Sequence, residues 1–136
     1  LLVGRAECFL FSHPSLEETI ARLRAYADAG ADCLYAPGLA TAAQIEAVVR
    51  ALAPKPVNVL LGSASGLSVA QVSALGVRRI SVGGALARVA WGGLMRAARA
   101  LAEQGSFAGF AEAADGRELN RLFDSLTRPD PGPRPQ

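Results

Sequence analysis

Arg5 and Glu7 are the residues of this chain best suited to chemistry. They stand two apart at the end of a short run that opens Leu1-Leu2-Val3. In an extended strand, residues two apart share a face. A guanidinium on such a face can clamp a carboxylate or phosphonate through two parallel hydrogen bonds. The competing reading is an ion pair between Arg5 and Glu7, or a pairing with neighbouring strands. An inward charge needs a partner in either case. Asn58 interrupts the apolar Val57 and Val59. A buried amide must be hydrogen-bonded, here to a ligand or to a backbone group. Gly83-Gly84, at a helix start, has the form of an anion site or of a plain tight turn. Gly62-Ser63-Ala64-Ser65-Gly66 reads as a lid or as a flexible connector. His13, the only histidine, precedes Pro14 and reads as a loop residue, and Trp91 reads as a packing residue. No serine triad, P-loop or zinc spacing can be assembled, so no catalytic residue proper is identified.

These residues need a scaffold, and the sequence repeats one. Gly30 to Gly38 and Gly76 to Gly84 share a plan: a helix-ending glycine, a short apolar strand, then a glycine-bearing loop. Four strands are predicted, over 2–8, 32–36, 56–61 and 79–82. Ser15-Leu16-Glu17-Glu18, Thr41-Ala42-Ala43-Gln44 and Ser68-Val69-Ala70-Gln71 read as capping boxes opening three helices. Ile20, Leu23 and Ala27 form one buried stripe, and Ile45, Val48, Val49 and Leu52 another. Short, unbroken apolar strands alternating with capped helices predict parallel βα units. A full eightfold barrel takes about 250 residues, so four units make about half of one. The predicted fold is therefore α/β: half of a (βα)8 TIM-type barrel, with four βα units plus C-terminal helices. In such barrels the active site lies at the C-terminal ends of the strands, where Arg5 and Glu7 fall. A long helix is expected from Gly83-Gly84 to about Gln104. Ser106 is expected to cap another, which Asp115-Gly116 breaks, and 117–126 is an amphipathic segment carrying Leu119, Leu122, Phe123 and Leu126. The expected organisation is a partial barrel with C-terminal helices over 1–126 and a proline-rich, disordered tail over 127–136. A chain that begins at once on a buried strand is expected to be part of a longer one.

Hydrophobic residues make up 51% and charged residues 19%, which fits a buried α/β core and excludes a disordered chain. The net charge is +2 with scattered arginines and no basic stripe, which argues against a nucleic-acid partner. No apolar run is long enough for a bilayer, and no secretion signal is visible. Cys8 and Cys33 fall in predicted strands without metal spacing, so buried, reduced thiols in a cytoplasmic setting are expected.

Four blocks together carry a resemblance: Val3-Gly4-Arg5-Ala6-Glu7, Ala29 to Gly38, Lys55-Pro56-Val57-Asn58-Val59, and Leu75 to Val82. In order and spacing they resemble the last four strands of the isocitrate lyase and phosphoenolpyruvate mutase family, over the chain up to about Phe123. The resemblance implies the C-terminal half of a Mg-dependent barrel acting on C–C or C–P bonds of small anionic 2-oxo or 2-hydroxy acids. It implies substrate-binding roles for Arg5 and Asn58, and a place for Glu7 in the polar network near the metal. The magnesium carboxylates would lie on earlier strands, with no metal ligand in this chain. A homo-oligomer built through the C-terminal helices is implied, without nucleic acid or membrane. Two departures concern the substrate. Pro37 stands where methylisocitrate-cleaving members carry glutamate, and Val59-Leu60-Leu61 replaces a Thr-Glu pair after the asparagine. A smaller substrate, as in oxaloacetate decarboxylation or a phosphonopyruvate-type reaction, is as compatible as a tricarboxylate. The rival reading is a non-catalytic half-barrel with a structural or oligomerisation role.

Overall fold

The computed structural model describes residues 1–11 and 15–127. The expectations for His13 and for the tail beyond Thr127 lie outside the described residues. The chain forms two compact units, Leu1–Arg88 and Val89–Gln136.

In the first unit, four strands build one parallel sheet in the order β1-β2-β3-β4. They are β1 (Val3–Arg5), β2 (Cys33–Tyr35), β3 (Val57–Leu60) and β4 (Arg79–Ser81). Helices α1 (Leu16–Asp28), α2 (Ala42–Leu52) and α3 (Val69–Ala74) connect them in sequence. Each strand is thus followed by a helix and lies beside the next strand, as sequential βα units require. The strands are shorter than the sequence suggested. Cys8, expected in the first strand, instead opens a 3-10 turn over Cys8–Leu10. That turn closes through Leu10 N–H donating to the Glu7 carbonyl at 2.8 Å. Cys33 is buried in β2, and both cysteines are free thiols.

Two of the three capping boxes form in full. The Thr41 hydroxyl accepts from Gln44 N–H while the Gln44 side chain accepts from Thr41 N–H, and Ser68 and Gln71 repeat the arrangement. Ser15 caps α1 from one side only, because the Glu18 carboxylate turns to Arg22 along the helix, at 2.9 Å from Nε. The buried stripes face the sheet as expected: Leu23 on α1, and Ile45, Val48 and Leu52 on α2. They meet Leu34, Val57 and Val59 from the strands, all at most 1% exposed. Thr19 joins this core without having been expected there. Its hydroxyl donates to the Ser15 carbonyl at 2.6 Å, so the buried polar group is satisfied inside its own helix. Gly76 ends the α3 segment with φ +87° beside Val49, where a Cβ would lie 2.9 Å from the valine methyl.

The long helix α4 (Ala85–Gln104) begins in the first unit and continues in the second. In the second unit, the helix expected from Ser106 is a 3-10 segment, Ala108–Glu112. Phe107 and Phe110 stack edge to face there, 5.7 Å apart, and Gly109 approaches Ala97 too closely for a side chain. That aromatic turn replaces the regular helix. Asp115-Gly116 starts a helix rather than breaking one. The Asp115 carboxylate accepts from Arg117 N–H at 2.6 Å and opens α5 (Gly116–Thr127). Trp91, read as a packing residue, is exposed, and α4 buries no residue within this chain.

Candidate functional site

Gly4 fixes which way Arg5 points. A Cβ on Gly4 would sit 2.8 Å from the Tyr26 Cβ, so Gly4 faces α1 and has no room for a side chain. Strand alternation then sends Arg5 to the opposite face of the sheet. The register continues the row: Arg5 lies beside Tyr35, Tyr35 beside Asn58, and Asn58 beside Arg79. One row of polar and aromatic residues thus crosses the sheet on the face away from α1 and α2. The intervening residues Leu34, Val57 and Val59 pack the other face.

Arg5 ends β1 and Glu7 follows it. The guanidinium lies 2.7 Å from the Glu7 carboxylate and 5.2 Å over the Tyr35 ring. The ion pair raised as the competing reading therefore forms. Its two side chains are 49% and 46% exposed, so water screens the pair. A pair this open contributes about 0–1 kcal/mol. Arg5 and Glu7 also line a cavity of about 380 Å³ along the β1 edge, together with Glu18, Arg22 and Tyr26. The second guanidinium on that cavity is partnered too. The hydrogen bond and charge of Glu18 raise the Arg22 pKa above its ordinary value.

Asn58 is 2% exposed. Its Nδ2 donates to Ser81 Oγ at 3.1 Å, and Ser81 Oγ makes a long donation to the Val59 carbonyl at 3.4 Å. A serine hydroxyl has one proton. With that proton on Val59, Ser81 meets Asn58 as an acceptor, so the amide nitrogen faces it. Asn58 Oδ1 is left buried without a partner. A buried acceptor in that state costs about 1–3 kcal/mol. Sequence reasoning offered a ligand or a backbone group as the amide's partner; half of it is taken by a side chain, and the other half is open.

Gly83-Gly84 makes the tight turn from β4 into α4, with φ +52° at Gly83. Arg88, one turn into α4, lies against Gly84 and donates to the Gly62 carbonyl, tying the β4–α4 turn to the β3–α3 loop. Sequence reasoning missed Tyr35 and Ser81. Tyr35 carried a usable signal, since it closes β2 as Arg5 closes β1. Ser81 gave none, because its role depends on the β3–β4 register. Among the described residues, no three His, Cys, Asp or Glu side chains lie close enough to hold a metal ion. No helix among them is long and apolar enough to cross a membrane.

Comparison with known proteins bears on this geometry. The family model for phosphoenolpyruvate phosphomutase matches residues 1–102. A protein of Burkholderia cenocepacia J2315 assigned as a lyase or mutase is 49% identical, with a TM-score of 0.85 over 97% of this chain and 47% of that one. Oxaloacetate acetylhydrolase in complex with its product oxalate is 28% identical, with a TM-score of 0.74 over 93% of this chain and 45% of that one. The 2,3-dimethylmalate lyase, of the PEP mutase/isocitrate lyase superfamily, is 25% identical, with a TM-score of 0.73 over 93% and 45%. No curated protein sequence matches. The chain spans about half the length of these solved structures. Its four βα units correspond to half of a TIM-type barrel.

Proposed function

The chain belongs to the phosphoenolpyruvate phosphomutase family, and from that membership we propose that it is the substrate-holding half of an enzyme. The enzyme cleaves or rearranges a C–C or C–P bond of a small 2-oxo or 2-hydroxy acid. The observation that carries this reading is Arg5. It ends a strand, rests over Tyr35, and pairs with a half-exposed carboxylate. A ligand carboxylate or phosphonate offers the same guanidinium two oxygens and a better-shielded site. In this reading Arg5 takes the anionic end of the acid, and Glu7 keeps the guanidinium aimed until the acid arrives. Asn58 supplies a second, directional contact through Oδ1, the only polar atom of its amide without a partner. The relatives described as oxaloacetate acetylhydrolase and 2,3-dimethylmalate lyase support small acids as the substrate class.

Magnesium, implied by the family resemblance, finds no set of ligands among the described residues. Glu7 is occupied by Arg5, and no cluster of ligating side chains stands near it among the described residues. Hard divalent cations take several oxygens at once. In this reading the metal ligands lie outside the described residues, and Glu7 borders their network. Two free thiols and small-acid chemistry fit a cytoplasmic setting. Self-association through the C-terminal helices belongs to the same reading and is supported by their exposed apolar residues, Leu119, Leu122, Phe123 and Leu126.

The test is turnover by the natural full-length protein, supplied with Mg²⁺, of oxaloacetate, phosphonopyruvate and alkyl-substituted malates. The expected result is cleavage or rearrangement of at least one acid, lost in Arg5→Ala. Turnover that survives Arg5→Ala, or no turnover of any acid, would overturn the proposal.

A further inference from the structure

The polar row leaves one atom unanswered, and that atom can only accept. Asn58 is 2% exposed, and its Oδ1 is buried with no hydrogen-bond partner among the described residues. An amide oxygen has no proton to give, so whatever completes it must bring one. The amide cannot simply turn over to relieve the deficit. Nδ2 donates to Ser81 Oγ at 3.1 Å, and the Ser81 proton goes to the Val59 carbonyl, 3.4 Å away. A turned amide would set Oδ1 against an oxygen whose proton is already engaged. Ser81 thus keeps the accepting end of the amide as the open one.

Asn58 stands in register with Tyr35, and Tyr35 with Arg5, all on one face of the sheet. Two strand spacings, about 10 Å, separate the backbones of Arg5 and Asn58. The Arg5 guanidinium lies over the ring of Tyr35, on the strand between them, 5.2 Å from the ring centre. The gap that remains is on the scale of a small acid. An ionised carboxylate, an ionised phosphonate and a 2-oxo oxygen all accept hydrogen bonds, whereas a hydroxyl donates one. A 2-oxo oxygen set against Oδ1 would leave two acceptors facing each other away from water, which is costly.

We infer that Asn58 Oδ1 receives the hydroxyl of a 2-hydroxy acid, and that Ser81 is the positioning residue that keeps the amide turned for it. The inference rests on the proposed substrate contacts of Arg5 and Asn58. It chooses between the two acid classes of that reading: the enzyme takes 2-hydroxy acids in preference to 2-oxo acids.

The experiment is calorimetric titration of the natural full-length protein with oxalate, pyruvate and each enantiomer of lactate. Oxalate reports the anion site without any hydroxyl. Pyruvate and lactate share a carbon skeleton and a carboxylate, and differ in whether the 2-oxygen carries a proton. One lactate enantiomer is expected to bind about fivefold to a hundredfold more tightly than pyruvate. Ser81→Ala frees the amide to turn, and is expected to bring that ratio close to one while oxalate affinity holds. Ser81→Thr keeps a hydroxyl at the position and is expected to keep the ratio. Oxalate binding with neither lactate tighter than pyruvate would overturn the inference and leave the role of Arg5 standing. A preference for lactate that Ser81→Ala leaves intact would place the hydroxyl elsewhere and also overturn it. Failure of oxalate, pyruvate and lactate alike to bind would overturn the inference and the underlying reading together.

Discussion

Asn58 shows how a single residue separates what is stabilising from what is functional. Its amide nitrogen is satisfied by Ser81, while its oxygen is buried and open. Ser81→Ala removes the nitrogen's acceptor and is expected to destabilise the fold by about 1–3 kcal/mol, read as a lower urea midpoint with an unchanged slope. An unchanged midpoint would mean that the amide finds another partner. Tyr35→Leu removes the ring beneath Arg5. The exposed cation–π contact contributes about 0.5–1 kcal/mol, so the expected effect on small-acid affinity is a loss of about twofold to fivefold. No loss would mean that the ring plays no part in holding the guanidinium. Arg5, Glu7 and Asn58 were legible as candidates because charged and amide side chains are rare in short apolar strands. Their partners were not. Tyr35 and Ser81 become neighbours of Arg5 and Asn58 only through parallel register, which no spacing along the chain encodes.

Secondary-structure elements were the most readable level, because their signals are local. Thr41 and Ser68 cap helices with the residue three positions on, and both boxes form. Thr41→Ala is expected to cost about 0.5–2 kcal/mol, measured as a drop in unfolding free energy. A cost near zero would show that tertiary packing alone holds α2. Gly76→Ala is expected to cost more than Gly30→Ala in the same measurement. Both have positive φ, but only at Gly76 would the new methyl press on a neighbour, Val49 at 2.9 Å. Equal costs would show that backbone strain dominates and that Val49 yields freely. The local signals failed where a neighbour overrode them. Glu18 completed the Ser15 box on paper but pairs with Arg22 instead. The Ser106 helix gave way to a 3-10 turn built on Phe107 and Phe110, a pairing of aromatics that helix propensity does not weigh. Asp115-Gly116 read as a breaker because glycine ends helices, yet the Asp115 carboxylate made it a start.

At the scale of the whole molecule, the parallel sheet followed from alternation of capped helices with apolar strands, and its sequential order matched. The exposure of α4 was not legible, because Trp91, Leu94 and Met95 look like core residues in composition alone. Two free sheet edges and these exposed apolar side chains predict that the 136-residue chain by itself self-associates. Sedimentation should show mass rising with concentration, and a single monomer with a cooperative melt would contradict that. The central claim is that this half of the barrel presents Arg5 to hold the anionic end of a small acid. It is tested most directly by titrating oxalate into the natural full-length protein and its Arg5→Lys variant, with melting temperatures taken alongside. Lysine keeps the charge but loses the two-pronged fork. The predicted result is affinity weakened about tenfold to a hundredfold with little change in melting temperature. Unchanged affinity with a large fall in melting temperature would make Arg5 a structural partner of Glu7 and contradict the account.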